Sequence, residues 1–380
     1  MKKLYLFIFL ILTTNVNASE ISELLLNSPK SLDHVFKEIN IKKATKYKGH
    51  GIHINFKANP DLNTLRYYFY RDLFRIKPSE FNTYYILPSQ NPYEFEFETI
   101  ENKSVKKQLK TKAILSYLYF EDGKIIIDEI SPKERLGKFI NNKTKFRSNS
   151  MGKSLASYVL GNAICGGYID SVDSKINDWD LVKNTLYENQ RLIDLLNMAS
   201  GDQKFTYGSF LLKNKGGIDV SDQTMKSRLI YFQNTKPTKK KYNYAVMNTD
   251  LIFNYVLFKT GENGFQTLLD KIFKEKVKIK ESVHFMREPN TPSSEGDANN
   301  MFYATRFDYL RIAKAIMDDY QNDTCVGKYL KEIYSKRIPK SINPNDDNKV
   351  EPRFNRTSSY GGQFHLDYPG LKDKIVFGMG

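Results

Sequence analysis

Two β-prone runs, residues 113–120 and 124–130, flank Glu121-Asp122-Gly123. Asp-Gly between such runs predicts an antiparallel hairpin, because both residues of a tight turn must take positive φ. The apolar spacing then changes. Leu155, Tyr158, Val159 and Ala163 recur at the helical period over 152–164, and Gly166-Gly167 stops the helix. Further helices are predicted over 190–198, 249–259, 265–273 and 306–318, and strands over 364–366 and 374–377. Strands, then helices, then strands predict an α+β architecture with an antiparallel sheet, not alternating βαβ units.

The first 110 residues are less regular. Lys2 and Lys3 precede an apolar run over 4–12, and Val16-Asn17-Ala18 ends on a small residue. This is the pattern of a secretory signal peptide over 1–18. The run is too short for a membrane span, so no stable span is expected after cleavage, and the expected location is periplasmic or secreted. Residues 19–110 read as an N-terminal extension, helical over 65–74 and strand-and-turn over 84–99, with no function assigned. The formal charge is +15. The longest basic run is only Lys239-Lys240-Lys241, and acidic residues are interspersed throughout. A nucleic-acid-binding stripe is therefore not expected. Cys165 and Cys325 leave both a disulfide and buried free thiols open.

The stretch FRSNSMGKSLASYVLG, beginning at Phe146, contains two candidate motifs. Gly152-Lys153-Ser154 matches the end of a phosphate-binding loop. That loop needs a second glycine five residues earlier, where Arg147 stands, so the reading fails. Ser150 with Lys153 is an S-x-x-K pair. Residues three apart share a helix face, so the lysine can act on the serine hydroxyl, and the helix N-terminus favours negative charge. Ser104-Val105-Lys106-Lys107 is a second copy without that context.

From about Ile114 onward the chain resembles the serine hydrolase superfamily of class C β-lactamases, D-Ala-D-Ala carboxypeptidases, related esterases and nylon-oligomer hydrolases. The resemblance rests on the hairpin, the S-x-x-K pair, GGYIDSVDSKI, LIDLLNMASGD and YNYAVMNTDLIFNYVLFKTG in that order. It implies a β-lactamase/DD-peptidase-like fold over 111–380, with an antiparallel sheet, flanking helices and a helical subdomain. It implies Ser150 as nucleophile, Lys153 as its activator and Tyr244 as the second member of the base system. Family members often carry Y-x-N, where this chain has Val246. Their third motif, which lines the oxyanion hole, would fall at Gly378, Met379 and Gly380. Further strands and a helix follow that motif in the family, so the chain reads as an incomplete copy of the fold.

The expected activity is cleavage of a small-molecule or peptide-like ester or amide through an acyl-enzyme, with neither metal nor organic cofactor. The alternative is a non-catalytic protein of the same fold that binds cell-wall or partner ligands. His50 and His53 lack a clear third ligand for a metal site. His365 stands one strand length before the third motif and is a possible neighbour of the site.

Overall fold

The structure is a computed structural model that describes residues 83–379, apart from 113, 136, 138, 139, 213–216, 220–223, 289, 341–356, 372 and 373. Segments 1–18 and 19–82, with His50 and His53, lie outside the described residues, as does Gly380. The chain runs through β1 (Thr83–Ile86), β2 (Glu96–Phe97), α1 (Lys103–Thr111), β3 (Ser116–Glu121), β4 (Lys124–Ile130), β5 (Lys145–Arg147) and α2 (Met151–Cys165). Next come α3 (Leu192–Leu196), β6 (Thr206–Tyr207), β7 (Phe210–Leu211), β8 (Ile218–Asp219), α4 (Met225–Leu229) and α5 (Val246–Leu269). The last stretch holds β9 (Val283–Arg287), β10 (Ala298–Thr305), α6 (Arg306–Gln321), α7 (Cys325–Ser335), β11 (Ile338–Pro339), β12 (Ser359–Gly361) and β13 (Phe364–Leu366). Helices and antiparallel sheets are combined, as the α+β reading expects.

The chain forms two compact units. The described part of the first comprises Tyr93–Arg147 and Ala304–Leu310. Its centre is the expected hairpin. β3 and β4 pair antiparallel, and Asp122 and Gly123 turn with φ of 48° and 85°, the signs a two-residue turn demands. β2 adds parallel to β4. Val105 and Leu109 of α1 pack on Ile127. The second S-x-x-K copy lies on α1, with Ser104 and Lys107 exposed, so it is part of a solvated helix face.

The described part of the second unit lies within 83–92, 148–303 and 311–379. Its axis is α2. Eleven of the helix's fifteen residues are buried, among them Lys153, Ser154 and Ser157. A helix buried on nearly every side needs close neighbours. At Gly161 an added Cβ would come within 2.5 Å of the Tyr329 ring of α7, so glycine is required there. Cys165 and Cys325 form a disulfide that joins the end of α2 to the start of α7. The helices expected over 249–259 and 265–273 are both present: α5 is two helices that meet at a kink at Gly261, whose φ of 69° is not helical, and the second continues from Asp270 as a π-helical turn. Phe253 and Phe265 of α5 meet Phe285 of β9 and Tyr84 of β1 in the aromatic core. β9 pairs antiparallel with both β1 and β10, and β10 bulges between Asn299 and Phe302.

Two expected elements contract. The helix over 190–198 is only Leu192–Leu196, because Asn189 and Met198 take positive φ at its ends. Residues 374–377 form no regular strand. Pairing is confined to Gly378 opposite His365, and one bridge does not make a ladder.

β11, β12 and β13 form a small antiparallel sheet. Lys340 follows β11, donates to Thr357 Oγ1 and is half-buried. Burial lowers its ammonium from 10.5 to about 8. The native state thus holds the charged form at a cost below pH 8, and the cost is relieved as pH rises through about 8 towards 10.5. Stability should accordingly rise between pH 8 and 10, before ionisation of the buried tyrosines opposes it. Lys340→Met should remove that slope and add about 1 kcal/mol at pH 7, a figure reduced because the group is half in water. Urea midpoints of both proteins at pH 7, 8.5 and 10 measure this; parallel pH dependences would refute it.

Candidate active site

The approach to Ser150 is stitched to β10. The Ser148 N–H donates to Phe302 O at 2.8 Å, and Ser148 Oγ accepts the Phe302 N–H at 3.0 Å. Asn149 then takes φ of 46°, a conformation asparagine tolerates better than most residues. This turn places Ser150 at the N-cap of α2 in αR geometry. A capping serine ordinarily accepts an N–H from the first turn. Ser150 makes no such bond, so its hydroxyl is not consumed by the helix.

Gly152 answers to packing. A Cβ there would lie 1.8 Å from Asn300 O and 2.8 Å from Ser148 Oγ. The backbone of α2 rests directly on the β10 bulge, which explains the glycine of Gly152-Lys153-Ser154 without a phosphate.

Lys153 is 5 % exposed and, among the described residues, makes no ion pair. Its Nζ lies 5.4 Å from the centroid of the Tyr244 ring. A desolvated ammonium gains from an aromatic face what it would otherwise take from a carboxylate. Ser150 sits one turn before Lys153 on the same helix, so the structure brings Lys153 and Tyr244 together beside the helix end that carries Ser150.

Tyr244 is held by its neighbours in sequence. Gly208 N–H donates to Tyr244 O at 2.8 Å, and Asn243 N–H donates to Met198 O at 2.7 Å. Asn243 Nδ2 donates to Asp202 Oδ1 at 2.7 Å, and Asn248 Nδ2 donates to Asp202 Oδ2 at 3.1 Å. Tyr187 OH donates to the same carboxylate oxygen. Asp202 is fully buried, and burial pushes its carboxyl above the usual range even though the hydrogen bonds from Asn243 and Tyr187 oppose the shift. Asp202 thus anchors both sides of Tyr244. The sequence signals for it were the MASGD and YNYAVMN segments, which gave no hint that they meet.

The ring of Tyr244 stacks on His365, centroids 6.2 Å apart at 19°, and meets Tyr360 edge-on at 6.1 Å. Burial pushes the phenols of Tyr242 and Tyr360 far above 10, so both stay neutral. Tyr244 is the partly exposed member of the three. Val246 lines a shallow apolar recess with Phe210, Leu211 and Phe232.

Gly378 lies behind His365. Its N–H donates to His365 O and its carbonyl accepts the His365 N–H, both at 2.9 Å. A Cβ on Gly378 would meet Tyr368 OH at 2.2 Å. Gly378, expected from the sequence to fall in the third motif, is thus bridged to the strand residue that stacks on Tyr244, with its N–H engaged. Among the described residues no group of three or more His, Cys, Asp or Glu is placed to hold a metal ion. No described helix is long and apolar enough to cross a membrane.

No protein-family model matches the chain, and no curated protein matches it. Solved structures do. A Bacillus anthracis protein assigned as a 6-aminohexanoate-dimer hydrolase is similar at 12 % identity and a TM-score of 0.48, covering 70 % of this chain and 72 % of its own. A Bacteroides dorei protein assigned as a β-lactamase is similar at 17 % identity and a TM-score of 0.39, covering 55 % of this chain and 57 % of its own. A D-stereospecific amidohydrolase from a Streptomyces species is similar at 15 % identity and a TM-score of 0.37, covering 59 % and 71 %.

Proposed function

We propose that this protein is a serine hydrolase of the β-lactamase-like superfamily, cleaving an ester or amide through an acyl-enzyme on Ser150. The observation that carries the reading is the buried Lys153 ammonium on the Tyr244 ring, one helical turn after a serine whose hydroxyl makes no cap bond. An unperturbed phenol titrates near 10 and needs a cationic neighbour to lose its proton near neutral pH. Lys153 is that neighbour. Ser150 Oγ passes its proton to the Lys153–Tyr244 pair and attacks the carbonyl carbon. The oxyanion forms at the α2 N-terminus, where the Ser150 N–H would supply one donor and Met379 or Gly380 a second, the N–H of Gly378 being taken by His365 O. The pair returns the proton to the leaving group, and water then hydrolyses the acyl group.

Export fits this reading. The N-terminal pattern over 1–18 and the Cys165–Cys325 disulfide both suit an oxidising compartment. We assign 19–110 as an extension and 111–380 as the hydrolase region. A fluorophosphonate probe on the full chain, followed by peptide mapping, tests the reading. The adduct is expected on Ser150, and Tyr244→Phe should slow its formation about a hundredfold or more. An adduct on another residue, or none, would refute it. Val246 favours a second reading, a non-catalytic ligand-binding member of the fold; tight binding of a cell-wall peptide without any adduct would support that one instead.

A further inference from the structure

β12 and β13 are joined by the two-residue turn Gly362-Gln363, with φ of 60° and 68°. Glycine meets the first requirement at no cost. Glutamine at the second costs about 1 kcal/mol and persists only where the surroundings over-determine it. A hairpin turn is normally solvated, yet Gln363 is 1 % exposed.

Its polar groups account for this. The Gln363 N–H donates to Leu196 O at 2.9 Å. Its carbonyl accepts from Ser154 Oγ at 2.7 Å. Its side-chain Oε1 accepts from Thr249 Oγ1 at 2.8 Å, and its Nε2 donates to Leu195 O at 3.0 Å and Leu196 O at 3.2 Å. Ser154 is the residue after Lys153 on α2. Thr249 is in the first turn of α5, just beyond Tyr244. Leu195 and Leu196 close α3, whose terminal carbonyls need outside donors. Two residues on, His365 stacks against Tyr244. One side chain and its own peptide groups therefore span the helix that carries Lys153, the helix that Tyr244 leads into, and the strand that backs the phenol.

We infer that Gln363 is a positioning residue that sets Lys153 and Tyr244 relative to one another. The inference rests on the proposed serine-hydrolase reading for its effect on rate, though not for its geometry. Losing the clamp lets α2 and α5 shift independently, and misplacement by a fraction of an ångström is enough to slow a proton-transfer pair.

The test uses the full chain with 3-fluorotyrosine at position 244 alone. Gln363→Ala removes the side-chain bonds. Thr249→Val removes only one, and so keeps the test open if Gln363→Ala fails to fold. Both should move the fluorine resonance and its titration midpoint. Both should lower the acylation rate at saturating probe by about tenfold or more, with little change in half-saturation. In a Tyr244→Phe background Gln363→Ala should add nothing, since it acts through Tyr244. An unmoved resonance in folded Thr249→Val or Gln363→Ala, or fully additive losses in the double variant, would overturn the inference. A resonance that moves in Gln363→Ala or Thr249→Val, when the wild type itself forms no Ser150 adduct, would uphold the clamp while refuting the hydrolase reading.

Discussion

Ser150→Ala is expected to abolish the covalent adduct and to lower hydrolysis of an activated ester by about a million-fold, towards the background left by binding alone. The same substitution should leave the melting temperature nearly unchanged. Those two outcomes usually conflict at a helix N-cap, where removing a serine costs about 1 kcal/mol. Here the hydroxyl makes no cap bond, so alanine forfeits no hydrogen bond. A large loss of activity with an intact melting transition would separate chemistry from folding. Residual adduct formation in Ser150→Ala would place the nucleophile elsewhere.

Removing the disulfide is expected to have the largest effect on stability. Cys165 and Cys325 are 160 residues apart, so the bridge closes a long loop in the unfolded chain. Such loops contribute about 4 kcal/mol, within a usual range of about 2–5. The native contribution is local as well. The bridge fastens α7 to α2 beside the Gly161–Tyr329 contact, where Ser157 Oγ and Tyr329 OH share a hydrogen bond at 2.8 Å. Cys165→Ser with Cys325→Ser should lower the melting temperature by about 10 °C, and dithiothreitol should do the same to the wild type. An identical transition with and without reductant would show that the bridge contributes nothing.

What the sequence revealed divides by range. The Asp122-Gly123 hairpin and α2 are encoded locally, by turn chemistry and apolar spacing, and both formed where expected. The meeting of Lys153 with Tyr244 was legible only through the order of several weak motifs. α1 was missed because it has few apolar positions and depends on its neighbours; Val105 and Leu109 alone anchor it. α7 was legible but overlooked, since Val326, Tyr329, Leu330 and Ile333 are buried at the helical period. Asp202 and Gln363 were beyond reach for another reason. Their side-chain partners lie 15 to 46 residues away in one case, and 114 to 209 in the other. No periodicity announces a hydrogen bond of that span. The pairing of the cysteines was likewise open until the helix ends were placed side by side.

The burial of α2 has a further consequence. Amide hydrogens in a helix with one solvated face exchange by local fraying, but here nearly every face is covered. Opening this helix means dismantling the core of its unit. The residue proposed as nucleophile therefore stands on one of the last segments expected to exchange. Heat inactivation and loss of fold should follow one curve, with no partly opened form that keeps the scaffold while losing the site.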